Sequence, residues 1–552
     1  MSHNNWLLLA VVCFTLSAAA HAKPSYQEQW RLQYHFSPEK NWMNDPNGLL
    51  YYRGKYHLFY QYNPFGIRWG HMSWGHAVSE DLVHWEHWPI AIPETGDIMA
   101  FSGSAVADVH NTSGFSRNGA VPLVAIYTGY NSSKAANEKQ DQRLSYSLDG
   151  GRSWTMYAGN PVLQIEEHHF RDPKVIWYEP SQSWIMLVAK ARDNIFQFYS
   201  SPNLKDWTYM SDLGPNGTIP TGEWECPDLF PLNVTGETGV QKWVLPISVG
   251  KDSVPRRGVM YFIGSFNGTH FTPDEPVAKY LDFGEDFYAA NSWNNFVDGR
   301  RLWMGWMCSW RYCQDIETNP WRGAQTMVRV LSLERENGGD IVLLQKPIKE
   351  MGKLRTGVEW KYRNTDITTV KQKLTTDKVH GRLLEVKAEF KPKAGTEKVG
   401  FSILQGPIEE TLVGYNHVNK TVYVDRSRSG FIDPRMGTID VAKVYLQGGI
   451  LNLHFFVDWS SVEVFANGGR QVITNRVFPN KTDDGFGAYV IGSDIEVVNL
   501  EIYELKTTWQ NYWTTPSPTT TSGAAALFLV TSGHSVVFLC SVVITVFQYL
   551  IA

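Results

Sequence analysis

Short strand-like apolar runs recur along the first part of the chain, among them LVAIYTGY, WIMLVAK and RGVMYFIGSF. They give way to polar turns that end in an aromatic residue: SEDLVHW (79–85), SLDGGRSW (147–154), SPNLKDW (201–207) and SFNGTHF (265–271), at intervals of about fifty to seventy residues. Runs this short, bounded by Asp, Asn and Gly, predict hairpins rather than helices. A unit of several short strands repeated at this period predicts a β-propeller with four-stranded blades. With a further unit after residue 286, the expected fold is all-β, a five-bladed β-propeller over residues 23–340. Ordinary β-turns at accidental spacing are the plainer alternative.

The pattern changes after LERENGGD (333–340), where a Gly/Asn turn precedes QKPIKEMGKLRTG, read as a linker over 341–352. Beyond it RLLEVKAEF, NLHFFVDWSSVEVFA and RQVITNRVF alternate apolar and polar positions between Asn-Gly-Gly and Asp-Asp-Gly turns. That period predicts a C-terminal β-sandwich over 353–508.

Both ends carry apolar segments of another kind. Residues 6–20 run into Ala20-His21-Ala22, a small-x-small site, so residues 1–22 are expected to be a signal peptide. A Thr/Ser/Pro stalk (509–522) leads to small residues at Ser522, Gly523 and Ala524 and an apolar tail with no basic residue after it, the pattern of a GPI-anchor signal over 523–552 with attachment at Ser522. A single transmembrane helix is the alternative, although Lys or Arg would normally follow it. The expected location is the outer face of the plasma membrane, with the membrane met only through this anchor.

Composition narrows the partners. A chain of 552 residues, 43% hydrophobic and 19% charged, has ample core, and a formal charge of -5 with no long basic run argues against nucleic acid and favours a neutral ligand. Aromatics reach 14%, with 22 tryptophans, which suits β-sheet packing or stacking on sugar rings. Once Cys13 and Cys540 are set aside with the terminal segments, Cys226, Cys308 and Cys313 remain, so one disulfide at most can form within the chain, with Cys308–Cys313 the favoured pair. Asn-x-Ser/Thr sequons at Asn111, Asn131, Asn216, Asn233, Asn267, Asn419 and Asn480 fit a secreted route.

Three of the 55 acidic residues share an unusual setting. Asp45 in WMNDPNG, Asp172 in HFRDPKV and Glu225 in EWECPDL each lie in an aromatic or apolar context with a proline one or two places on. Proline has no N–H and biases its predecessor toward extended geometry, so these are places where strands start or break. A lone Asp-Pro is usually a turn, but acids from three successive propeller blades would converge on the central channel. Cleaving a glycosidic bond takes one ionised and one protonated carboxyl group, and crowding acids together produces that division. Asp45 beside two asparagines and Asp172 beside Arg171 are expected to stay ionised, with Glu225, between Trp224 and Cys226, the candidate acid.

Those motifs, with QYNPFGIRWGHMSWGHAVSEDLVHW, FSGSAV, DFGEDFYAAN and DWSSVEVFANGGRQVIT in the same order, resemble the glycoside hydrolase family 32 β-fructofuranosidases over about residues 30–506. The resemblance implies a five-bladed propeller followed by a β-sandwich, and hydrolysis of terminal fructosyl units of sucrose and other fructosides with retention, without metal or cofactor. It implies Asp45 as nucleophile, Glu225 as acid/base and Asp172 as transition-state stabiliser, with fructose contacts from Asn44, Gln61, Trp69, Ser102, Arg171, Tyr288 and Trp306. In these roles Asp45 would form a covalent fructosyl-enzyme, Arg171 would hold Asp172 in place, and Asn44, Gln61 and Ser102 would offer neutral hydrogen bonds beside a Trp69 wall. Each alone is more often structural. Core packing is the plainer alternative for Trp42, Trp74 and Trp310, which are left unassigned.

One segment departs from the family pattern. WRGAQTMVRVLSL (321–333) keeps Arg329 but has Val328 and Val330 where relatives commonly carry Pro and Glu. The rival readings are a fructosyltransferase working through the same intermediate and a catalytically silent sugar-binding protein on the same scaffold. Retention of all three acids argues against the second.

Overall fold

Asp and Asn side chains close the repeated turns. Asp81 Oδ1 accepts from the backbone N–H groups of Val83 and His84 at 3.1 and 2.9 Å. Asp149 Oδ1 accepts from Ser153 N–H at 3.0 Å, Asn203 Oδ1 from Lys205 and Asp206 at 3.0 and 2.9 Å, and Asn267 Oδ1 from Thr269 and His270 at 3.0 and 2.8 Å. A short polar side chain thus satisfies backbone donors that no strand partner can reach. Leu82 and Leu204 hold the same place in their repeats, and both adopt left-handed φ, 67° and 65°.

The computed structural model describes residues 25–134, 139–214, 222–250, 258–295, 298–336 and 339–509. The expected signal peptide, Asn216, the stalk beyond Trp509, Ser522 and the terminal apolar segment lie outside the described residues. Among the described residues no helix is long and apolar enough to cross a membrane.

Each repeated turn joins the third strand of a sheet to its fourth, as between Ser73–Ser79 and Glu86–Ile92 or between Ile195–Ser201 and Thr208–Leu213. Five successive sheets form the five-bladed propeller. Their innermost strands are Asn41–Tyr52, Ile98–Ala107, Phe170–Tyr178, the broken strand Trp224–Glu225 with Phe230–Asn233, and Tyr288–Ser292. The ring is tied shut where Trp321–Arg322 pairs in parallel with Asn41 and Trp42 of the first blade.

The fifth blade runs past its expected end. Ile341–Pro347 pairs along its whole length with Arg329–Arg335, so the segment read as the start of a linker is the blade's outer strand. LERENGGD occupies the same third-to-fourth position as the other repeated turns. Without an aromatic at its close it reads as a boundary. A 3-10 helix, Lys349–Leu354, then leads into the sandwich strand Arg355–Asp366.

The sandwich stacks a six-stranded sheet on a five-stranded one. Alternation drives it as expected: Leu384, Val386, Ala388 and Phe390 all enter the apolar core between the sheets. The helix Ile367–Thr376, capped by Asp366 accepting from Thr369 N–H at 2.6 Å, closes one side.

Propeller and sandwich meet through buried charge. Arg329, fully buried, donates to Asp282 at 3.0 Å and to Glu463 of the sandwich at 2.6 Å. His35 bridges Asp458 and Glu463 at 2.8 Å each; burial opposes its charge, but the two carboxylates outweigh it and lift the imidazole to about 9. Gly284 lies against the backbone of Thr474, where a Cβ would overlap main-chain atoms. The departure at WRGAQTMVRVLSL therefore falls on this seam, where Arg329 keeps its place and Val328 packs into the core.

Of the sequons, Asn111, Asn233, Asn267, Asn419 and Asn480 are exposed and Asn131 is half-buried. Cys308 and Cys313 are disulfide-bonded, and Cys226 is free.

Arg329→Met would leave Asp282 buried without its cation and Glu463 with His35 alone, a loss of about 3 kcal/mol or more. A thermal melt should show Tm several degrees lower; an unchanged melt would mean that the seam does not hold the two layers together.

Candidate active site

Four of the five innermost strands carry the same defect at the same end. Asn44 and Asp45 together oppose Gln61, Phe101 and Ser102 oppose Thr128, Asp172 and Pro173 oppose Val188, and Ala289 and Ala290 oppose Gly305. A β-bulge of two residues against one turns a side chain out of the ladder, here into the channel. In the fourth blade the strand breaks after Glu225 and resumes at Phe230. Asp172, Cys226 and Ala289 take left-handed φ of 64°, 47° and 51°, a conformation that costs a non-glycine residue of order 1 kcal/mol and persists only where its surroundings impose it.

Two of the bulges and the break after Glu225 bring the three acids to one cavity of about 700 Å³. Asp45, Asp172 and Glu225 line it, with Asn44, Gln61, Trp69, Ser102 and Arg171. The thiol of Cys226 lies at their meeting point, 3.5 Å from Asp45 Oδ2 and 3.6 Å from Asp172 Oδ2. Burial and the neighbouring Asp172, Asp45 and Glu225 push this thiol well above its ordinary value, so it stays protonated and acts as a donor.

Each acid has its own partners. Asp45 accepts from Ser102 Oγ at 2.7 Å and from Asn44 Nδ2 at 3.0 Å, while Trp42 Nε1 fixes Asn44 by donating to its Oδ1 at 2.7 Å. Burial raises the Asp45 carboxyl from its ordinary value; the Ser102 and Asn44 donors pull it back, and Glu225 pushes it up again. Asp172 accepts from Cys226 N–H at 3.0 Å, and its own N–H donates to Thr128 Oγ1 at 3.0 Å. Burial lifts Asp172 to about 7; Arg171 opposes the rise, and Glu225 and Asp45 add to it.

Arg171 departs from the expected arrangement. Its Nε and Nη2 both reach Glu225 Oε1, at 3.0 and 2.8 Å, and Nη2 also meets Glu223 at 2.8 Å, whereas Asp172 is 4.0 Å away. The bulge between Arg171 and Lys174 turns the two neighbours apart, so Arg171 steadies Glu225 and only grazes Asp172. Glu225 receives a second donor, Tyr288 OH at 2.6 Å. The close fit depends on Gly250, since a Cβ there would come within 2.7 Å of Glu225 Oε2 and 2.5 Å of the Tyr288 hydroxyl. Trp224 points away from the cavity into the core between blades.

Gln61 donates to Ala100 O at 3.0 Å and presents the rest of its amide to the cavity. Trp69 is 37% exposed at the rim and meets Phe101 edge-on. Tyr288 stands behind Glu225 and off the cavity wall. Trp306 is fully buried under Trp42 and Trp310, so it too supports the wall from behind. Trp310, left unassigned from the sequence, lines the cavity, as do Gln314, Glu223 and Arg192. The disulfide fixes the loop that carries Trp310. Nothing in the spacing of CSWRYC distinguishes Trp310 from a packing tryptophan. Cys226 was passed over as the odd cysteine, although its place beside Glu225 in EWECPDL was the available signal. Among the described residues no cluster of His, Cys, Asp and Glu is arranged to hold a metal.

Residues 35–347 match the glycosyl hydrolases family 32 N-terminal domain and residues 350–504 the family's C-terminal domain. A levanase of Bacillus subtilis is 44% identical over 91% of this chain and 75% of its own length. An extracellular exo-inulinase of Aspergillus ficuum is 38% identical over 91% of this chain and 99% of its own. The crystal structure of an exo-inulinase from Aspergillus awamori superposes with a TM-score of 0.81 at 36% identity, covering 88% of this chain and all of that one.

Asp172→Asn tests the electrostatics of the cavity. A carboxyl whose folded-state pKa is raised from 3.8 to about 7 adds stability at low pH and loses it as pH rises through that window. Wild-type Tm should therefore fall relative to that of Asp172→Asn between about pH 4 and 7; parallel Tm profiles would show that Asp172 is not raised.

Proposed function

The chain belongs to glycosyl hydrolase family 32 and is a glycoside hydrolase, and on that premise we propose that it removes terminal β-D-fructofuranosyl units from sucrose and fructans with retention. The observation that carries this reading is the meeting of three acids from three inner strands, two of them on the thiol next in chain to the third.

In the proposed reaction an Asp45 oxygen attacks the anomeric carbon of the fructosyl unit while Glu225 protonates the departing glycosidic oxygen, leaving a covalent fructosyl-enzyme. Glu225 then takes a proton from water. That water attacks the same carbon, and fructose and free Asp45 are restored. Arg171 and Tyr288 fix the position of the Glu225 carboxyl for both halves. Asp172, held by Cys226 N–H, hydrogen-bonds the fructose hydroxyls and stabilises the transition state. Asn44 and Ser102 hold the Asp45 carboxylate ready, and Gln61 and Trp69 offer an amide and a ring face to the sugar. The Cys308–Cys313 bond supports an extracellular place of action, since such bonds persist in oxidising compartments.

Asp45→Asn and Glu225→Gln should each lower turnover by about a thousandfold or more while the thermal melt stays close to wild type. Fructose released from sucrose, inulin and levan measures this, and NMR of the first-formed anomer reports retention. Near-wild-type turnover by purified Asp45→Asn would sink the assignment, and accumulation of longer oligosaccharides from concentrated sucrose would favour the transferase.

Asp45 must be ionised to attack, so activity should fall as pH drops through its raised pKa. Ser102→Ala removes a donor that favours the ionised form, which raises that pKa further. The acidic limb of the kcat/KM profile should move up by roughly one pH unit; a limb that stays put or moves down would remove Ser102 from this role.

A further inference from the structure

Arg426 lies on the sandwich strand Thr421–Arg428, and its side chain is 2% exposed. It crosses to the propeller and donates from Nη1 to Asp286 Oδ2 at 3.0 Å. The same oxygen accepts from Arg476 N–H at 2.8 Å, and Asp286 N–H donates to Thr474 O at 3.1 Å. Two sandwich residues thus hold one fully buried propeller carboxylate, and a third holds its backbone.

Asp286 faces two ways from there. Two residues along the chain is Tyr288, whose hydroxyl donates to Glu225. Its other oxygen, Oδ1, accepts from the hydroxyl of Tyr312, inside the disulfide loop. Trp310 and Gln314, two places on either side of Tyr312, line the cavity. Neighbouring Glu285 reinforces the grip: it accepts from Ser309 Oγ at 2.7 Å, and its N–H donates to Asp440 of the sandwich at 3.1 Å.

We propose that Arg426 is a positioning residue for the cavity's reaction: through Asp286 it sets both the Tyr288 side of Glu225 and the loop that presents Trp310 and Gln314. The sandwich is then part of the machinery that shapes the site. The catalytic consequence rests on the fructosidase reading above; the positioning of the loop does not. If Arg426 were only a stabilising ion pair, its loss would act on the melt alone, as that of Arg329 should. Arg329 pairs across the same seam with Asp282 and Glu463, donates to Thr474 Oγ1 and lies over the Phe287 ring, but it contacts neither the Asp286 carboxylate nor the disulfide loop.

The test compares Arg426→Lys and Tyr312→Phe with Arg329→Lys in the full chain. Arg426→Lys keeps the charge but loses the second nitrogen, Nη2, with which the guanidinium also reaches Asp440 at 3.4 Å. Tyr312→Phe keeps the ring and removes only its hydroxyl. Hydrogen exchange at the amides of residues 308–315 should quicken in Arg426→Lys and Tyr312→Phe and stay at the wild-type rate in Arg329→Lys. Kinetically, Tyr312→Phe should raise KM for sucrose roughly tenfold with a smaller change in kcat, through the displaced loop. Arg426→Lys should in addition lower kcat, because the Tyr288 contact to Glu225 loosens. Arg329→Lys should lower Tm and leave KM and kcat in place. The proposal is overturned if loop exchange is unchanged in both test variants, or if Arg329→Lys alters KM and kcat equally. Should the wild-type protein release no fructose from any fructoside, the fructosidase reading falls, and the exchange rates still decide whether Arg426 orders the loop.

Discussion

Carboxylates resist being gathered. Taking even one out of water costs several kcal/mol, and each further anion in the same cavity adds repulsion. Much of the propeller's inner face is arranged around this constraint. Asp45 receives a hydroxyl and an amide, Glu225 a guanidinium and a phenol, and Asp172 a backbone N–H at the price of holding a proton up to about pH 7. Cys226 stands between two of them as a neutral donor, a position a lysine could not share without collapsing the difference between the acids.

The same problem is solved differently at the seam with the sandwich, where Arg329, Arg426 and His35 neutralise Asp282, Asp286, Glu463 and Asp458. Replacing such a seam with apolar side chains would often leave a protein equally stable. What apolar packing would not supply is direction. An ion pair with fixed hydrogen bonds holds one register of strand Tyr288–Ser292 against the sandwich, and the acid site inherits that register.

The architecture was legible where local chemistry repeats. SEDLVHW and SPNLKDW announce a turn because Asp81 and Asn203 must satisfy the same backbone donors, and an Asp-Pro or Glu-Cys-Pro inside an apolar run marks a strand interruption. The hidden features depend on direction or distance. Arg171 is next to Asp172 in the chain but bonds to Glu225, because a bulge rotates one residue away from the other. Trp310 and Trp306 are four residues apart with similar neighbours, and only the fold places one on the cavity and the other beneath it. The turn at 333–340 reads as a boundary because Ile341–Pro347 lacks the aromatic that opens its counterparts.

The paired bulge residues also separate two tasks within each strand. Pairs on either side of each bulge stay in the ladder, and the first strand bulges a second time between Asn47 and Leu50 without leaving its partner. The residues that hold the sheet together are therefore not the ones that carry the acids. A reactive group sits on the extra residue, where no strand partner has to make room for it.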